Sequence, residues 1–156
     1  MGTVWSASVI DGDARVAVKT LTAVAARESA YVRELNTEVR AMAAMTHPNI
    51  ALVLDHGLTP EDTDHLPTGS PWLAMELASG GSLASARPKN WDGLRAVLLD
   101  ILAGLAHAHA RGIIHRDIKP ANVLLCTAAD LRPGYKVADF GIARAADSEA
   151  DSKIRG

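Results

Sequence analysis

The segment from His115 to Asn122, His-Arg-Asp-Ile-Lys-Pro-Ala-Asn, crowds an acid, two cations and an amide into one short loop between apolar runs. In that setting Asp117 could take a proton from a hydroxyl group. Lys119 could neutralise a transferring phosphoryl group. Asn122 offers a carbonyl oxygen to a hard cation such as magnesium. Further along, Asp139-Phe140-Gly141 places a carboxylate at a strand end, followed by a hinge glycine. Two oxygen donors from separate loops, completed by phosphate oxygens, make an ordinary magnesium arrangement. Upstream, Lys19 ends a short apolar run and Glu38 lies in a helical pattern, so the helix can carry a partner to the lysine. Taken alone, Lys19 reads as a solvated lysine and Glu38 as an exposed helix charge.

The elements that must hold these groups are legible in outline. Val16 to Lys19 reads as a strand. From Glu28 to Met45, Val32, Leu35, Val39 and Met42 recur at helical spacing, and His47-Pro48-Asn49 ends that helix. Ile50 to Leu54 and Trp72 to Leu77 read as two strands joined by a polar, breaker-rich surface loop. Ser79-Gly80-Gly81-Ser82 reads as a flexible joint. A long helix runs from about Trp91 to Arg111, capped by Asn90 and stopped by Gly112. Its wide apolar face, Leu94, Val97, Leu98, Ile101, Leu102 and Leu105, calls for partners on several sides. Ile113-Ile114, Val123 to Leu125 and Tyr135 to Ala138 are short strand candidates, and the tail from Ala145 is polar and without period. This order is an α+β pattern in two blocks rather than a regular alternating sheet.

The chain has 156 residues, 48% hydrophobic and 22% charged, which is a globular balance. A net charge of -2 excludes a generally basic nucleic-acid binder. The single cysteine, Cys126, excludes a disulfide framework and fits a reducing, cytoplasmic setting. No stretch is apolar enough to span a membrane.

With these motifs in order, the chain resembles the eukaryotic-type Ser/Thr protein kinases found also in bacteria. Val16 to Lys19 is similar to the family's lysine-bearing strand, His115 to Asn122 to its catalytic loop, and Asp139-Phe140-Gly141 to the motif that opens its activation segment. The resemblance implies ATP and Mg2+ as cofactors and a protein substrate presenting Ser or Thr. It makes Asp117 the catalytic base, assisted by Lys119. Lys19 would hold the α- and β-phosphates and pair with Glu38, or with Glu34 one turn earlier. Asn122 and Asp139 would be the magnesium ligands. Met75 would be the gatekeeper before a hinge whose Glu76 and Ala78 backbone groups meet adenine, with Gly2, Val4 and Ala17 around the nucleotide. Arg116 would pair with a phosphorylated residue of the activation segment. His115 is expected to brace backbone, His107 and His109 to sit on the helix surface, Cys126 to be inert, Met42 and Met45 to fill core, and Ser148 and Ser152 to be solvated.

The resemblance also implies a two-lobed fold, incomplete in this chain: residues 1–78 as small lobe and 79–156 as the start of the large lobe. Met1 to Val4 resembles the end of the glycine-rich loop, Gly2 being its third glycine, and Gly156 falls inside the activation segment. Hence the expectations of a marginally stable chain and of doubtful activity in isolation. The alternative is a non-catalytic, pseudokinase-like module that binds nucleotide or pairs with another kinase chain. A small-molecule phosphotransferase is disfavoured by the Arg116 and Lys119 pattern.

Overall fold

The computed structural model describes residues 2–10, 12, 14–21, 39–62 and 66–140. Strands β1 (Gly2–Ser8) and β2 (Arg15–Leu21) form an antiparallel hairpin, Gly2 opposite Leu21 and Ser8 opposite Arg15. β3 (Val53–Leu58) and β4 (Pro71–Glu76) complete a four-stranded sheet in the order β1-β2-β4-β3. Central β4 is buried along nearly its whole length, as its apolar composition requires. Helix α1 (Trp91–His109) precedes a 3-10 turn at Pro120–Asn122 and a second, two-stranded sheet of β5 (Val123–Cys126) and β6 (Gly134–Val137).

The Asn90 side chain caps α1, accepting from the Gly93 N–H at 2.9 Å, and Gly112 follows its end at φ +73°. Val97, Gly104 and Ala108 are buried on one stripe. Gly104 lets the helix close on the loop before β3: a Cβ there would stand 2.7 Å from the Asn49 carbonyl oxygen. Leu94, Leu98 and Leu102 of the anticipated wide face remain exposed. One core joins both blocks. It gathers Val39, Met42 and Met45 with Leu73 and Met75 of β4, Ala108 of α1, Val137 of β6 and Phe140.

Several expectations need correction. Helix is seen at residues 39–43, while the earlier part of the span from Glu28, with Glu34 and Glu38, lies outside the described residues, as do Ser148 and Ser152. The strand expected at Ile50 to Leu54 begins instead at Val53, because Ile50 bridges to Val137 of the other sheet and the β3–β4 register shifts between Val53 and Asp55. The loop between β3 and β4 is not all surface: Thr59 and Ser70 are buried and bonded to each other. The joint at Ser79 to Ser82 is tied down. Gly80 N–H donates to the Leu125 carbonyl and Leu125 N–H to that of Gly81, extending the second sheet. Ile113 finishes the α1 turn by donating to Ala108 and forms no strand. The His107 ring packs on His47 at 4.8 Å instead of lying on the surface, whereas His109 is exposed.

Candidate active site

The segment from His115 to Asn122 is organised from its histidine. His115 is buried, and its Nδ1 accepts from the Asp117 N–H. Its Nε2 therefore carries the proton and donates to the Ala138 carbonyl at 2.8 Å. The ring also stacks on Phe140, 4.6 Å between centroids. Burial is the largest influence on His115 and depresses its pKa below the ordinary value, so the ring is neutral and braces two loops together.

Asp117 follows Arg116, which sits at φ +66°, outside the region most residues favour. The Lys119 Nζ donates to Asp117 Oδ2 at 2.7 Å, and the Asn122 Nδ2 donates to the same oxygen at 3.1 Å and to the Asp117 carbonyl at 2.8 Å. The Lys119 hydrogen bond is the largest influence on Asp117. With the Asn122 bond and the Lys119 charge it outweighs desolvation and holds the carboxyl below its usual range. Asn122 thus spends its amide nitrogen on the loop, which leaves its Oδ1 as the atom fit for a hard cation.

Asp139, at φ +63°, turns its carboxylate to Lys19, with Nζ to Oδ1 at 2.7 Å. This pair joins β2 of the four-stranded sheet to the end of β6. Sequence reasoning gave Lys19 another partner, Glu38, which lies outside the described residues.

Asn122 and Asp139 border a cleft of about 440 Å³. Val4 and Ala17 of the four-stranded sheet, Met75 to Ala78, and Ala121 and Leu124 line it together with Asn122 and Asp139. Mostly apolar walls with a few polar groups suit a flat ring carrying a charged tail. Of the residues anticipated around a nucleotide, Val4, Ala17, Met75, Glu76, Ala78, Asn122 and Asp139 line this cleft, and Gly2 and Lys19 do not. Gly2 pairs with Leu21 at the start of β1. Met75 also borders a cavity of about 20 Å³ against Met45 and Phe140, so it stands between cleft and core.

A protein kinase domain model matches residues 1–155. The chain belongs to the protein kinase family. It is 35% identical over 150 residues to the serine/threonine-protein kinase Pkn1 of Myxococcus xanthus, covering 95% of this chain and 20% of that protein. It is 34% identical over 152 residues to PknA of Mycobacterium tuberculosis, covering 95% of this chain and 34% of that kinase. This kinase chain thus spans between a fifth and about a third of the length of those relatives. The PknI kinase domain of Mycobacterium tuberculosis superposes with a TM-score of 0.68 at 30% identity, over 92% of this chain and 56% of that one. Rad53 in complex with AMP-PNP gives 0.70 at 28% identity, over 90% and 35%. The fold is accordingly the α+β protein-kinase fold, of which these residues form a part.

Three features escaped sequence reasoning. The Glu76 carboxylate is buried in a pair with the Arg132 guanidinium, which also donates to the Ile50 carbonyl at 2.8 Å. Buried Lys136 donates to the Pro48 carbonyl at 2.6 Å. Asp130 collects Ser79 and Thr127 around one oxygen. A carboxylate inside the apolar run Ala74-Met75-Glu76-Leu77 was the available signal, since such a group demands a cation. Nothing local pointed to Arg132, which reads as a turn residue beside Pro133-Gly134. Cys126 is buried, its thiol pushed up to about 11 chiefly by burial, and is inert as expected. Among the described residues no helix is long and apolar enough to cross a membrane.

Proposed function

We propose that the chain is the nucleotide-binding and catalytic-loop portion of an ATP-dependent Ser/Thr protein kinase, with residues 1–78 as small lobe and 79–156 as the start of the large lobe. The observation that carries this reading is one linked group of side chains at the cleft: Asn122 and Asp139 line it, Asn122 and Lys119 both bond Asp117 Oδ2, and Lys19 pairs with Asp139. When bound, magnesium-ATP would supply the transferable phosphoryl group and an electrophilic cation. Asn122 Oδ1 and the Asp139 carboxylate are the fitting donors for that cation, and Lys19 the counter-charge for phosphate oxygens.

Asp117 accepts the proton of the incoming Ser or Thr hydroxyl. Its depressed pKa keeps it ionised at neutral pH and ready to accept. Its second oxygen, Oδ1, is free of the Lys119 and Asn122 bonds, both of which go to Oδ2. Lys119 holds the carboxylate in place and brings positive charge to the side where negative charge develops. A cytoplasmic location, where ATP and reduced thiols are plentiful, belongs to this reading.

The test is transfer of labelled γ-phosphate from ATP to a Ser/Thr peptide by the full-length protein. Loss of transfer in Asp117→Ala is expected, and unchanged transfer would sink the assignment. ATP binding without any transfer would instead favour a non-catalytic regulatory module, for which pairing with a second kinase chain becomes the property to measure.

A further inference from the structure

β4 ends at Glu76, and residues 77–79 belong to no strand although Leu77 and Ala78 line the cleft. A backbone stretch without its own ladder is a poor template for a ligand unless something else fixes it. The loop between β5 and β6 does so from behind. At one end Arg132 Nε donates to Glu76 Oε2 at 3.1 Å and its Nη2 to Oε1, while the Leu52 N–H donates to that Oε1 at 2.8 Å. At the other end Asp130 Oδ2 accepts from the Ser79 N–H at 3.0 Å and the Ser79 hydroxyl at 2.8 Å. The same oxygen takes the Thr127 N–H at 2.6 Å, which fixes the loop itself. Between these ends, the Cys126 thiol lies 3.8 Å from the Leu77 carbonyl oxygen.

We infer that residues 127–132 are the positioning element of the nucleotide-binding hinge: Asp130 and Arg132 clamp the two ends of residues 76–79 so that the Glu76 and Ala78 backbone presents one preset hydrogen-bonding edge to a purine base. The inference rests on the nucleotide-binding reading of the cleft. Neither residue touches the ligand. Both act through the hinge, and their effect falls on affinity rather than on the chemical step.

Asp130 is the residue to test first, because it is partly exposed and its removal leaves no buried charge. Asp130→Ala, Asp130→Asn and Arg132→Met are compared with the unaltered protein by amide hydrogen exchange at residues 77–79, and by titration and steady-state kinetics with magnesium-ATP. Asp130→Ala raises exchange at 77–79 and raises KM for ATP, each about tenfold, as loss of a charge-assisted contact predicts, while kcat stays within about twofold. Asp130→Asn keeps an acceptor oxygen and recovers most of both effects. Unchanged exchange in Asp130→Ala overturns the proposal. So does faster exchange with unchanged KM, or a fall in kcat alone. Should the unaltered protein bind no ATP, the nucleotide reading fails by itself, and the exchange measurement still decides whether the loop holds the hinge.

Discussion

Two acid–base pairs of the same chemical kind occupy opposite situations in this molecule. Lys119 and Asp117 meet at 2.7 Å with about half of each side chain open to solvent, 52% and 40%. Arg132 and Glu76 meet where the carboxylate is 1% exposed. The open pair is screened by water, so it contributes little to folding and stays accessible to a substrate. The buried pair is surrounded by carbonyls and an N–H that leave few atoms without a partner, so it holds three chain segments together but can receive nothing. Burial, not residue type, separates chemistry from architecture here.

The contrast can be broken most directly at Asp117. Asp117→Asn keeps the shape of the loop and removes the proton acceptor. Phosphoryl transfer should fall by about 10²–10⁴-fold while the melting temperature holds, and a comparable loss of both would erase the distinction. Next comes Arg132→Met, which strands the Glu76 carboxylate. Denaturant unfolding should show a loss of about 3–5 kcal/mol, and a cost near zero would mean that Glu76 finds other partners.

A smaller effect is expected from pH. His115 and His47 both have pKa values lowered from 6.5, in each case first by burial. A histidine depressed in the folded state binds its proton more readily when unfolded. Its contribution is complete above 6.5 and fades as pH falls toward the folded value. Melting should therefore drop by a few degrees between about pH 7.5 and about pH 5.5, and a flat profile would show that neither ring is desolvated in solution. The smallest effect on stability is expected for Lys119→Ala, with melting within about 1 °C of the unaltered protein despite reduced transfer.

What the sequence made legible follows the range of each interaction. His115, Asp117, Lys119 and Asn122 sit within one loop, so their grouping could be read from neighbouring letters, and Asp139 carries its own local motif. The bond between Glu76 and Arg132 spans 56 positions, and no periodicity encodes it. β3 was misplaced for the same reason: Ile50 looks like the start of a strand, but its partner is Val137 of the second sheet. His107 was read from its helix alone, whereas its ring is covered by His47 of a distant loop. Lys19 shows both sides. Its strand was readable, and its pairing with Asp139 was not.

Arg116 and Asp139 share one property with a wider consequence. Both hold left-handed backbone without being glycine, at φ +66° and +63°, and both adjoin or carry a carboxylate proposed to act in phosphoryl transfer. Each such position stores roughly 1–3 kcal/mol that the surrounding structure must sustain. The fold is therefore strained at the proposed site of chemistry. A laboratory selection for heat resistance alone would be drawn to Arg116→Gly, which releases that strain. The survivors would be sturdier proteins and poorer catalysts, because robustness and activity pull this backbone in opposite directions.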